Sequence, residues 1–317
     1  MLHEKVMTRS RITSLLDIKY PILQGGMVWC SFHNLVAAVS NSGGLGLLAG
    51  GSLYPDQLRD EIRQVRMLTD RPFGVNIPLL YPDIASHIDI IIEEEVPIVV
   101  TSAGNPKTWT AKLQSHGIKV LHVVSSSRFA QKAEEAGVDA IIAEGFEAGG
   151  HNGREETTTL CLIPAVVSAV KLPVIAAGGI ASGQAIAAME ALGAEGVQIG
   201  SAFALSEESA AAEAFKEHCL SLKEGDTKLM LKKFAPTRLA KGGFMDQVAE
   251  AEARGATAEE LFQLLGRGRA KRGILEGDLM EGELEIGQIA STLHSIEPVR
   301  TIMHRLLREY KETISHF

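Results

Sequence analysis

Cysteine is nearly missing from this chain: Cys30, Cys161 and Cys219 stand far apart in 317 positions. A set that is odd in number and scattered builds no disulfide framework, so a reducing compartment is expected. Aromatic residues are also scarce, at 5%. Small and aliphatic side chains must therefore fill the core, as they do between parallel strands and the helices that cover them. There is no excess of basic residues. A formal net charge of −8 argues against nucleic acid as the main partner, because neutralising phosphates takes clustered lysine and arginine. Arg267, Arg269, Lys271 and Arg272 are the one local concentration, interleaved with acids. That pattern fits a solvated helix face first, and a small footprint for an acidic carrier or a nucleotide phosphate second. No apolar run approaches the roughly 18 residues a bilayer span needs, and the start of the chain is charged throughout. A cytoplasmic protein without membrane or nucleic-acid partners is expected.

Glycine is abundant, with 31 residues, and it falls in a pattern. Short apolar runs begin near Pro21, Gly44, Pro72, Pro97, Ile118, Val138, Leu172 and Ala194, each followed by a stretch with helical spacing such as Gln57 to Leu68 or Phe129 to Ala136. Continuous apolar runs, as opposed to alternating ones, suit strands covered on both faces. Eight such runs spaced about 20 to 34 residues apart predict an α/β protein with a (βα)8 TIM barrel. A doubly wound open sheet is the alternative, since counting units does not establish closure. Most runs end in glycine or polar residues on the side where a barrel places its site.

Beyond about residue 205 the spacing predicts helices without strands: Ala258 with Leu261, Leu264 and Leu265, then Ile286, Ile289, Ala290 and Leu293, then Ile302, Leu306, Leu307 and Tyr310. The expected organisation is a barrel over 1–205 and a helical C-terminal cap or dimerisation region over 206–317 packed on it.

The richest stretch is Glu144 to Gly153, with two carboxylates, one histidine and four glycines. Glycines let a backbone approach a ligand closely, and a histidine can donate or accept a proton near neutrality. His151 could serve as a general acid, a metal ligand or a satisfied loop histidine. No second histidine lies at ligand spacing, so a metal is not expected and a role beside an organic cofactor is favoured. Gly178-Gly179 and Gly200-Ser201 end the seventh and eighth runs. Such paired glycine turns commonly grip phosphate in these barrels, although they can also serve only as tight turns. Asn76 ends the third run with an amide able to read a ring by paired hydrogen bonds. Cys30, Cys161 and Ser126 lack a nucleophile elbow or an identifiable histidine partner, and His122 on the fifth run fits a packed strand histidine.

Taken in order, PILQGGMVW (21–29), SNSGGLGLL (40–48), DRPFGVNIPLL (70–80), AEGFEAGGHNG (143–153), PVIAAGGIASG (173–183) and GAEGVQIGSAFALSEES (193–209) resemble one family. It is the FMN-dependent nitronate monooxygenase group, formerly 2-nitropropane dioxygenases, and its enoyl-acyl-carrier-protein reductase II members look most similar. The resemblance spans about residues 10 to 310. It implies FMN at the barrel mouth, held by Gly25, Gly26, Met27, Asn76, Glu144 and Gly149. Gly178, Gly179, Gly200 and Ser201 would hold its phosphate, and His151 would be catalytic. In the nitronate-oxidising members a lysine commonly follows the histidine equivalent to His122, where this chain has Val123. They also tend to carry Cys-Ala-Gly-His, where this chain has Ala148-Gly149-Gly150-His151. Both departures favour reduction of trans-2-enoyl thioesters with NAD(P)H as co-substrate over oxidation of nitronates with O2. The expected partner is a small-molecule or acyl-carrier-bound thioester, and a homodimer is expected. A non-catalytic flavin- or phosphate-binding barrel is the alternative of another class.

Overall fold

The computed structural model describes residues 10–316. Residues 1–9, part of the charged start of the chain, lie outside the described residues. Each of the eight apolar runs carries one strand. They are β1 (Ile22–Gln24), β2 (Gly46–Ala49), β3 (Phe73–Pro78), β4 (Ile98–Ser102), β5 (Lys119–Val124), β6 (Ala140–Glu144), β8 (Val174–Ala177) and β9 (Gly196–Ile199); a two-residue β7 (Gly150–His151) interrupts the series. The parallel order is β1-β9-β8-β6-β5-β4-β3-β2. The ring closes between β1 and β2, where Leu23 bridges Leu45, Gln24 N donates to Leu45 O at 2.9 Å and Leu45 N donates to Ile22 O at 3.0 Å. Closure decides between the barrel and the open sheet.

Two apolar layers hold the ring. Alternate strand residues face opposite sides. The inner set includes Leu23, Leu47, Val100, Leu121, Ile142 and Ile175, and the short helix Arg11–Leu16 adds Ile12 and Leu16 to it. The outer set, among them Val75, Val99, Val120 and Ile141, packs under the helices. The helix Pro55–Leu68 illustrates how local sequence builds this layer. Proline occupies its first turn, where no partner is needed for the missing N–H, and Gln57 Oε1 accepts from Tyr54 N at 3.1 Å. Leu58, Ile62 and Val65 then recur at helical spacing and are fully buried. Each contributes about 2 kcal/mol of burial.

Residues beyond 205 depart from the expectation of helices alone. Two strands, β10 (Thr227–Met230) and β11 (Thr237–Ala240), pair antiparallel, and β11 pairs with β7. Their runs are too short, and too mixed with lysine and arginine, to show an alternation over five or more residues. Only the partner strand from the barrel loop completes them. Ile286 to Leu293 is also not an amphipathic α-helix; it is extended at first and then a 3-10 turn, Gln288–Thr292. The helices Ala258–Leu265 and Val299–Ile314 form where their spacing predicts. The latter packs against the helices Gly183–Ala191 and His33–Asn41, in the ring position that follows β9. Glu309 accepts from Gly183 N at 2.9 Å, and Met303 reaches Gly44. No described helix is long and apolar enough to cross a membrane.

Candidate active site

The inner face of the ring turns polar only at its C-terminal mouth. By strand register, Asn76 lies level with Val100, Val123 with Ile142, Glu144 with Ala177, and Gln198 with Ala177 and Leu23. All four therefore share the lumen side. Asn76 Nδ2 donates to Val100 O at 3.3 Å. The side chain of Gln198 is buried, and its Oε1 finds no hydrogen-bond donor. The Glu144 carboxyl has no hydrogen-bond or ion-pair partner among the described residues, and burial holds it up at about 7. The buried Gln198 oxygen is costly unless a ligand completes it, and the half-buried, unpartnered Glu144 carboxyl shares its lumen.

His122 is not part of this group. It shares the outer face with Val120 and Val124, is buried, and its Nδ1 sits 2.7 Å from Thr101 Oγ1. Burial pushes its imidazole down to about 4. The strand histidine is a packed one, as its isolation in the sequence predicts.

The loop after β1 is held from below. Gln24 Nε2 donates to Gly25 O and to Ser31 Oγ, and Ser31 Oγ accepts from Met27 N at 3.0 Å and donates to Gly25 O at 3.1 Å. Gly26 is pressed against Asn76 so closely that a Cβ there would run into Asn76 Cβ and lie 3.0 Å from its Cγ. The loop can approach the lumen only because position 26 is glycine. Met27 Sδ in turn reaches Gly200, on the far side of Gln198.

The loop after β6 is tied down at three points. Glu147 accepts from Thr159 N, at 2.9 Å to Oε2, and from Thr159 Oγ1 at 2.9 Å, placing a carboxylate at the start of the helix Thr159–Ala169. That is where the helix dipole favours an anion. Thr159 also packs against Gly178, whose φ of +96° only glycine adopts without strain. Gln288 N donates to Glu147 O at 2.9 Å, and Gly287 N donates to Ser201 Oγ at 3.0 Å. The third tie is Arg238 on β11, fully buried and without a carboxylate partner among the described residues. Its Nη2 and Nε donate to Phe146 O at 2.7 and 3.1 Å, and its guanidinium stacks 4.4 Å from the Phe146 ring. Desolvation lowers the Arg238 pKa from its ordinary value.

His151 stands at the end of this loop. Its backbone pairs with Thr237, its side chain is exposed, and no hydrogen bond holds the imidazole among the described residues. The geometry leaves the ring free to meet a ligand above the mouth.

Glu144 and His122 make opposite demands on stability. The folded state binds a proton at Glu144 between the ordinary value of 4.5 and about 7, so stability falls as pH rises through that window. His122 stays neutral while an unfolded chain protonates below 6.5, so stability falls as pH drops towards about 4. Each effect is at most about 3 kcal/mol, and over most of this range they offset. In ligand-free protein Glu144→Gln should uncover the histidine term: its Tm should drop by about 5 °C more than wild type between about pH 7 and 4.5. Parallel Tm curves for the two proteins would contradict this account.

The structure thus brings Gly25, Gly26, Met27, Asn76, Glu144, Gly178, Gly179, Gly200 and Ser201 to one mouth, with Gly149 packed on Ile286 and Gly287 at its rim. His151 lies on the same rim, set out on β7. Sequence reasoning passed over Gln24, Gln198 and Arg238, and it counted Glu147 in the loop without foreseeing its tie to Thr159. Gln24 and Gln198 sit inside two of the quoted motifs, as lone amides in apolar runs. Arg238 carried no sequence signal, because its partner is a backbone carbonyl 92 residues away. Of the basic cluster, Arg269, Lys271 and Arg272 pair with Glu281, Glu276 and Asp278. No group of histidine, cysteine, aspartate and glutamate among the described residues could hold a metal.

Comparison with known proteins places this geometry in a family. The family model described as nitronate monooxygenase matches residues 9–87 and 82–309. A probable nitronate monooxygenase of Staphylococcus aureus (strain Newman) is 35% identical over 291 residues, 77% of this chain and 81% of that protein. The solved structure of FabK from Thermotoga maritima is 42% identical with a TM-score of 0.93, covering 97% of this chain and 98% of that one. A nitroalkane oxidase from Streptomyces ansochromogenes is 28% identical with a TM-score of 0.82, covering 96% and 99%. The polar mouth, the glycine turns after the last two barrel strands and these matches agree: the chain belongs to the nitronate monooxygenase family.

Proposed function

We propose that this FMN-dependent oxidoreductase reduces trans-2-enoyl thioesters carried on acyl-carrier protein or coenzyme A, using NAD(P)H. The observation that carries the reading is the likeness to FabK, an enoyl-ACP reductase II. It reaches 42% identity over 97% of the chain, against 28% for the nitroalkane oxidase. Val123 on the lumen face and the Ala148-Gly149-Gly150-His151 wording support the same side.

The mouth suits a flavin. The Gln198 Oε1 that lacks a donor, the unpartnered Glu144 carboxyl and the Asn76 amide would face its ring. The Gly25–Met27 backbone would border it on one side and Gly149 at the rim. Gly178, Gly179 and Gly200 would give N–H groups to its phosphate. Ser201 Oγ accepts from Gly287 N and so keeps its own proton to donate there. Bound FMN supplies hydride transfer. The protein's own part is to orient the thioester and to deliver a proton. His151, exposed and unheld, would place that proton on the α-carbon of the substrate, a general-acid task for a side chain free to reach it.

A second reading, oxidation of nitronates with O2, is favoured by the names of the Staphylococcus aureus relatives. Anaerobic mixing followed at the flavin absorbance band separates the two. Bleaching by NAD(P)H and recovery on adding crotonyl thioester is the expected result. Bleaching by a nitronate alone, with none by NAD(P)H, would overturn the reductase reading.

A further inference from the structure

The largest fully buried side chain among the described residues has no part in the reaction proposed above. Arg238 on β11 is 1% exposed, and no carboxylate pairs with it among the described residues. Taking a charge out of water is expensive, and without an opposite charge only hydrogen bonds offset the cost. Two of its N–H groups converge on one atom, Phe146 O, at 2.7 and 3.1 Å, whereas the contacts of Nη1 to Thr227 are long, at 3.4 and 3.5 Å. Charge-assisted hydrogen bonds of the first kind are the strong ones. The Phe146 ring also lies 4.4 Å from the guanidinium, so residue 146 is gripped by backbone and side chain together.

Phe146 O belongs to a tight turn. Ala148 N donates to Gly145 O at 3.1 Å, which makes Phe146 and Glu147 the central residues. Neither has a positive φ, so the turn cannot be type II. Types I and II differ by a flip of the central peptide, here the Phe146–Glu147 unit, and Arg238 holds that unit by its carbonyl. Beyond the turn the same arginine pairs through its backbone with Gly150, while Thr237 pairs with His151. Asn152 shuts the loop: its Nδ2 donates to Ala148 O at 2.9 Å and to Gly150 O at 3.0 Å, and its N donates to Pro236 O at 2.8 Å. One arginine thus fixes both ends of the segment that joins Glu144 to His151.

We propose that Arg238 is a positioning residue for His151: it sets the Phe146–Glu147 peptide and the register of β7, so that the free imidazole is presented at the mouth. The inference rests on the proton-delivering role given to His151 above, but the order of the loop can be measured without turnover. A residue that only docks the C-terminal part on the barrel would weaken every step alike. One that acts through His151 must lose its effect on the chemistry once the imidazole is gone.

The experiment uses the FMN-loaded protein, with Arg238→Met to fill the space without donors and Arg238→Lys to keep the charge. Stopped-flow mixing should show reoxidation by crotonyl thioester slowed by about 30-fold in Arg238→Met and by about fivefold in Arg238→Lys. Reduction by NAD(P)H should change by less than about threefold. In the His151→Ala background, Arg238→Met should slow the thioester step by less than about twofold more. Amide exchange over residues 146–152 should quicken by about tenfold or more in Arg238→Met, with residues 140–144 of the barrel strand unchanged. Equal slowing of both half-reactions would overturn the proposal, as would the same loss with and without His151. So would unaltered exchange over 146–152. Should Arg238→Met fail to fold, Arg238→Lys carries the same comparisons. If exchange behaves as expected and wild type does not reduce the thioester, the loop assignment stands and the enoyl-reductase reading fails.

Discussion

Replacing His151 by alanine should lower turnover by about 100-fold or more while leaving FMN affinity and Tm close to wild type. The separation follows from where the residue sits. The backbone of His151 pairs with Thr237 in a two-residue strand, and alanine keeps that pairing. Its imidazole is exposed and makes no hydrogen bond among the described residues, so its loss removes no packing and leaves no orphaned partner. The glycine turns and lumen amides that would hold the flavin belong to other strands. Stopped-flow mixing should locate the defect in the step that consumes the thioester, with the step that consumes NAD(P)H unaffected. Turnover within threefold of wild type would remove His151 from the chemistry. Loss of FMN would instead show the residue to be part of the cofactor cradle.

The second large effect is expected in the loop after β1. Gly26→Ala should weaken FMN binding by about 100-fold, measured by fluorescence titration. The added Cβ would overlap the Asn76 Cβ, and the strand β3 that carries Asn76 cannot yield, because Val75 and Ile77 on either side are fully packed. The loop must move instead, and Gln24 and Ser31 resist that through four hydrogen bonds to Gly25, Met27 and one another. Forcing one methyl into such a contact costs about 2–3 kcal/mol, which corresponds to about 100-fold in Kd. Gly25→Ala provides the contrast, because its Cβ would meet Met27 and Gln198 only at 3.7 to 3.8 Å. Equal affinities for wild type and Gly26→Ala would show that the loop after β1 does not border the flavin.

Much of this site was legible before any coordinates. Gly178, Gly179, Gly200 and Ser201 announce themselves because tight βα turns consume glycine at fixed places relative to apolar runs. Glu144 is visible as a charge closing a run of buried residues. Arg238 is not visible in this way. It depends on β11 aligning with β7, a pairing between segments more than 80 residues apart. Two-residue and four-residue strands carry too little alternation to predict such a pairing. For the same reason residues 206–298 show as helices with a gap between them.

The sequence by itself determined the local elements: eight apolar runs, the helices between them, the glycines that let loops reach the mouth, and the histidine at its rim. Those follow from periodicity and backbone sterics, which act within a few residues. Tertiary structure alone decided that the ring closes, since closure rests on a handful of hydrogen bonds between β1 and β2 that no strand count contains. It also decided which polar groups are left without partners. Gln198 and Glu144 become a site only because folding brings them together in one lumen and withdraws them from water that every unfolded chain would keep.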